Sequence, residues 1–166
     1  MRPTPTLFLL SLVLVAAQLG WYLPRLPDPM ASSFGFNGEV SAWASRTSFL
    51  VAYLLSLGVT SAVFMVLPIL IQRTDGRGLN IPNQDHWLAP EHRAETFQVI
   101  SVRLRWFGLV TMVFLVWTHH LVIVANLSSP IRMASAQFWV GFAAYMLYAS
   151  WWTLRLILRF QKRPDA

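Results

Sequence analysis

Two adjacent histidines, His119 and His120, sit inside a run of 21 residues, Trp106 to Asn126, that contains no Asp, Glu, Lys or Arg. An imidazole in lipid has no solvent to satisfy it, so a histidine there faces protein or carries a function. The available chemistry is hydrogen bonding to a neighbouring helix, proton transfer, or ligation of a metal or haem. Neighbours on a helix point about 100° apart, so the two rings diverge. No second spaced histidine stands in another apolar run, and ligation is therefore the weaker reading. Gly108, Thr111, Thr118, His119 and Asn126 share one face, about 100° wide, while His120 points elsewhere. Matching depth from the ends of the apolar runs places Gln18, Tyr53, Ser56, His119 and Gln137 at one level. These residues and His120 form the expected intramembrane polar cluster, whose ordinary role is to specify helix packing.

A second constellation lies between the apolar runs: Asp85, His86, Glu91, His92 and Glu95. His92 and Glu95 are three apart and share a helical face, a spacing that metal sites use. Glu91 and Glu95 are four apart and repel unless a cation lies between them. With Arg93 and Trp87 close by, a charged interfacial helix with an aromatic anchor accounts for the same residues. No metal site is assigned, and no cofactor is expected. The chain has no cysteine, and no GxSxG, HExxH or phosphate-cradling motif is present. We therefore expect a protein that is not an enzyme.

Four apolar runs must position these groups: about 7–23, 48–72, 106–126 and 134–158. They hold 17 to 25 residues, the range of helices that cross a hydrocarbon core. Thr4 or Thr6 caps the first, which is read as a retained helix although a short basic start and an apolar stretch also resemble a signal peptide. Residues 24–46 leave the lipid. Three prolines in six residues disfavour helix there, and Asn37-Gly38 is a two-residue hairpin signal flanked by Phe34, Phe36 and Val40. Pro68 is expected to bend the second run. In the 73–105 loop, Pro90 suits a first helical position, with Phe97, Ile100 and Leu104 following on one face. That helix is expected to lie along the headgroups before joining the third run. The fold expected is an all-α integral membrane protein in a single domain, 1–166, a four-transmembrane-helix bundle with a small hairpin cap and an amphipathic helix.

Composition agrees. Of 166 residues 55% are hydrophobic and only 12% charged, against about 25% charged in soluble domains. The net charge of +6 comes from basic residues flanking apolar runs, so it reads as topology and lipid contact and not as nucleic-acid binding. With both ends on one side, Arg2, Arg73, Arg77, Arg93, Arg103, Arg105, Arg155, Arg159, Lys162 and Arg163 share that side, against Arg25, Arg46 and Arg132 on the other. The positive-inside rule puts both termini and the 73–105 loop in the cytoplasm.

Two stretches carry a family resemblance. LPDPMASSFGFNGEVSAWASR resembles the LPDR-x-A-S-H-F-x-x-x-G-x-x-x-x-W-x-S-[RK] signature of a bacterial domain of unknown function that also occurs in SdpI-like immunity proteins. NIPNQDHWLAPEHRAETF is similar to the N-[LI]-P-N-x-x-[YH]-W-L-A-P-E-x-R-x-E-T pattern of its small four-span relatives. The signature histidine is Ser33 here, the residue before Trp87 is His86, and His92 stands where an arginine is usual. The resemblance implies a bacterial inner-membrane protein with an immunity- or signalling-like role. The expected partners are membrane lipids and another membrane or envelope protein, with no nucleic acid. An oligomer or membership of a larger complex is the alternative, its contact made by His120 and the aromatic fourth run. The cap residues expected to bind are Phe34, Asn37, Gly38, Trp43 and Arg46. In the loop they are Asn83, His86, Trp87, Pro90, Glu91, Arg93 and Glu95.

Overall fold

The structure, a computed structural model, describes residues 5–162. Thr4, Arg2 and Arg163, used above for a cap and for the charge count, lie outside them. Five helices and one hairpin follow in order: α1 (Pro5–Tyr22), β1 (Met30–Phe34), β2 (Val40–Ala44), α2 (Arg46–Arg73), α3 (Gln84–Trp87), α4 (Pro90–Asn126) and α5 (Ser135–Gln161). A single 3-10 turn, Leu23–Arg25, follows α1 despite the prolines around it. Proline is tolerated there because a first helical turn needs no N–H from it.

Among the described residues three helices, α1, α2 and α4, are long and apolar enough to cross a membrane. Their surfaces suit lipid: Leu9, Leu10, Leu14, Val51, Leu55, Val63 and Val113 are all exposed. Helix α5 is long enough at 27 residues but is not among those three, since its Trp and Tyr residues and its two arginines dilute the apolar content.

Helix α4 is the hub. Helices α1, α2 and α5 each pack on it, as do β1 and α3. Helices α1 and α2 also meet each other, through Gln18 and Tyr53. The contact of α2 with α4 is tight at Gly108, where an added Cβ would stand 2.5 Å from the Phe64 side chain of α2. Without that Cβ the phenylalanine ring lies directly on the α4 backbone, the close approach small residues permit in membranes.

Helix α4 also corrects an expectation about the loop. It runs unbroken for 37 residues, about 55 Å at 1.5 Å per residue. Residues 90–105 are therefore a collinear extension of the apolar run, not a separate helix laid beside it. No proline or glycine pair interrupts the 90–106 segment, so nothing turns the chain. Helix α5 runs back along α4 from end to end. Its start meets the hairpin through Phe36 and Trp139, with ring centroids 4.4 Å apart. Its last turn meets α3, where Trp87 and Phe160 are 5.5 Å apart.

The buried residues fall into two groups. Near the hairpin, Met30, Tyr53, Leu57, Met112 and Ile123 pack together; at the basic end Trp87, Ile100 and Phe160 do so. The molecule thus has a tied hairpin end, a tied basic end, and a thin helical middle.

Candidate functional site

The polar groups of the helical middle meet at the hairpin-side half of α4. Helix α1 supplies Gln18, α2 supplies Tyr53, and α4 supplies the two histidines. The Tyr53 hydroxyl donates to Gln18 Oε1 at 2.8 Å. The Gln18 amide then donates to His120 Nδ1 at 3.1 Å, which leaves that ring's proton on Nε2. His119 donates its Nδ1 proton to the Leu115 carbonyl one turn back, at 2.8 Å, and stacks flat on Tyr53 with 4.0 Å between centroids. The two imidazoles thus hold opposite tautomers and serve different neighbours, α2 for His119 and α1 for His120.

Four of the six expected residues come together, and two do not. Ser56 spends its hydroxyl on the Tyr53 carbonyl of its own helix at 2.7 Å. Gln137 is exposed and lines a small cleft beside His120, Trp117 and Ser128. His120 itself is engaged by α1, with the Tyr22 ring 5.8 Å away. The shared polar face expected of α4 is distributed among its neighbours. Gly108 faces α2, Thr111 meets Tyr145 of α5 at 3.0 Å, and Asn126 reaches the hairpin. The reason is that α4 packs against three other helices and so uses every side.

Asn126 makes the contact that sequence reasoning missed. Its side chain accepts from the Ala31 N–H at 2.7 Å and donates to the Ala31 carbonyl at 2.8 Å. The amide thereby satisfies both backbone groups of a buried β1 residue as a paired strand would. The hint available beforehand was an Asn ending an apolar run, with nothing to say what it faced.

The hairpin forms as expected, but by a different turn. Gly38 N–H donates to the Gly35 carbonyl at 2.9 Å, and Gly35 N–H to Glu39 at 2.7 Å. Phe36 and Asn37 occupy the centre and Gly38 follows at φ +83°, a longer loop closed by a glycine bulge in place of a two-residue turn. Gly38 is seated against the α4–α5 connection, where Met133 N–H donates to its carbonyl at 2.9 Å. An added Cβ would collide with the Met133 carbonyl. Asn37 folds back to accept from Glu39 N–H at 3.2 Å, and its carbonyl accepts from Arg132. Arg46 is occupied by the Leu23 and Leu26 carbonyls, and Phe34 is half-buried. What the hairpin leaves outward is aromatic: Phe36 is 79% exposed and Trp43 55%.

At the basic end the expected loop residues turn out to be a clamp. Asn83 takes the left-handed conformation at φ 52° and donates to the Phe160 and Gln161 carbonyls at 3.0 and 3.1 Å. The Trp87 indole donates to Phe160 at 2.8 Å. These are the last-turn carbonyls that a helix cannot satisfy itself. Pro90 occupies the first position of α4. Arg93 pairs with Asp75 at 3.4 Å and donates to the Leu88 carbonyl, while Glu95 pairs with Arg159 at 3.1 Å. Glu91 is exposed. His86 and His92 lie 4.4 Å apart, and His86 Nε2 is buried without a hydrogen-bond partner among the described residues. Among those residues no three of His, Asp and Glu converge as a metal site.

Residues 6–57 match a domain of unknown function, DUF1648. The DUF1648 segment spans α1, the hairpin and the first turns of α2, less than a third of the chain. It carries Gln18 and Tyr53 and the whole hairpin. Both histidines and Asn126 lie beyond it, so the matched stretch is contacted by a helix outside it. No curated protein and no solved structure matches the chain.

Proposed function

We propose that the chain is a non-enzymatic four-span protein of the bacterial inner membrane, with both termini cytoplasmic and its hairpin cap outside. The cap binds a peptide or an envelope protein, in an immunity- or signalling-like role of the kind the SdpI-like resemblance implies. The basic-end loop faces the cytoplasm.

The observation that carries the reading is the hairpin itself. It is anchored at three places, by Asn126, Arg132 and Met133, yet turns Phe36 and Trp43 outward. A rigid mount displaying exposed aromatic side chains is what a recognition surface needs, since anchors of that type dominate binding energy. Support for α5 as a fourth crossing comes from its course: it begins beside the hairpin and ends beside α3, at the two ends of α4. The distribution of Lys and Arg supports the orientation.

The test is capture by affinity-tagged protein under mild detergent. Trp43→Ala with Phe36→Ala is expected to abolish capture of an envelope partner while leaving the helical spectrum intact. Trp87→Ala, at a buried clamp residue, is expected to lower stability instead. Unchanged capture by the cap variant refutes the reading. The subunit reading now depends on α5 alone, because His120 is taken by Gln18 and Tyr22; its outward Val140, Leu147 and Leu154 are exposed. Extraction as a stable single copy counts against it.

A further inference from the structure

Helices α4 and α5 leave a continuous furrow between them on one side. At the basic end it is lined by Arg103 and Trp106 of α4 and by Trp152 and Arg155 of α5, with a volume near 400 Å³. It continues past Val110 and Tyr148, which line both halves, into a second stretch of about 400 Å³ beside Trp117 and Ala144. From Arg103 to Trp117 the furrow follows α4 for about 21 Å. One leaflet of hydrocarbon is about 15 Å deep, so the length suits a headgroup followed by a single chain.

The charge at its mouth is not neutralised. Arg159 pairs with Glu95, but among the described residues no carboxylate lies within 4 Å of Arg103 or Arg155. Arg103 feels the guanidiniums of Arg159 and Arg155 as like charges. Arg155 lies over the Trp151 ring at 5.5 Å, and the Trp152 indole donates to the Arg103 carbonyl at 3.2 Å. Trp151 thus lies under the Arg155 guanidinium, Trp152 ties the Arg103 backbone to α5, and both arginines line the same end of the furrow. Guanidinium is the side chain best shaped for phosphate. A second copy laid in the furrow with the same orientation would bring its own cations to this level.

We propose that this furrow binds one anionic phospholipid, its phosphate between Arg103 and Arg155 and an acyl chain along the apolar stretch toward Trp117. The site rests on α5 lying across the membrane, as in the function proposed above, but not on what the cap binds.

Native mass spectrometry of the detergent-purified full chain tests it, with phosphatidylglycerol and phosphatidylcholine as competing probes. One phosphatidylglycerol should be retained about thirtyfold more strongly than phosphatidylcholine, the scale expected of two interfacial arginines. Arg103→Gln with Arg155→Gln should erase that preference, and Lys at both positions should restore part of it. Arg73→Gln with Arg105→Gln, an equal loss of charge elsewhere at the basic end, should leave it. Ala144→Phe should weaken retention of both lipids by filling the furrow. An equal loss in the Arg73/Arg105 control, or full competition by inorganic phosphate, overturns the site in favour of general charge or a bare anion. Ready disulfide dimerisation of Ala144→Cys in this otherwise cysteine-free chain overturns it in favour of a second copy. None of these readouts depends on cap capture, so the two proposals fail separately.

Discussion

Asn126 is a single amide that stands in for a missing strand. Its two bonds to Ala31 serve a residue with no exposed surface. Asn126→Ala leaves a buried N–H and carbonyl unpaired, at a cost of about 1–3 kcal/mol for each group. The hairpin should then exchange its Ala31 amide proton far faster and be cut by protease between residues 27 and 45, with α1 and α2 still helical. Slow exchange at Ala31 in that variant would show that strand pairing alone holds the cap. Of the two histidines, His120 accepts from Gln18 of α1, whereas His119 invites no comparable prediction of loss, because it bonds within its own helix and meets Tyr53 by stacking. That His119 and His120 diverge was legible in the 100° step. That they serve α2 and α1 respectively was not, since a wheel gives angles and not neighbours.

Between helices the most extensive packing is α2 on α4. In lipid there is no hydrophobic gain from burying a leucine, so helices associate through fit and hydrogen bonds. Gly108 is where that fit is tightest, and Gly108→Ala should cost about 1–3 kcal/mol by overpacking, read as a lower melting temperature in detergent. Gly58→Ala, on α2 where an added Cβ meets nothing within 4 Å, should be neutral or mildly stabilising. Equal effects from the two would mean that the contact at Phe64 does not limit packing. The helix ends were readable to within a few residues, because charge and proline mark them. The continuity of α4 was not, since a polar stretch and an apolar stretch joined without a breaker look like two elements in composition.

For the molecule as a whole, orientation is the property on which the cap and loop readings depend. The absence of cysteine makes it directly measurable. Ser41→Cys on the hairpin should react with a membrane-impermeant maleimide added to intact cells, and Asp85→Cys on the basic-end loop should react only after lysis. The reverse pattern would place the cap in the cytoplasm and remove the envelope partner. The sequence alone was enough to predict lipid as the solvent. Long runs nearly free of charge suit a bilayer, three helices among the described residues are long and apolar enough to cross one, and the arginines near the ends of the runs report which end is basic. It also announced a hairpin, because Gly at the tip of an aromatic-flanked turn is a local signal. Only the tertiary structure decided that α4 is the hub, that Asn83 and Trp87 close the end of α5, and that Arg103 and Arg155 share one furrow. Each of these joins residues far apart in the chain, and local periodicity carries no information about such distances.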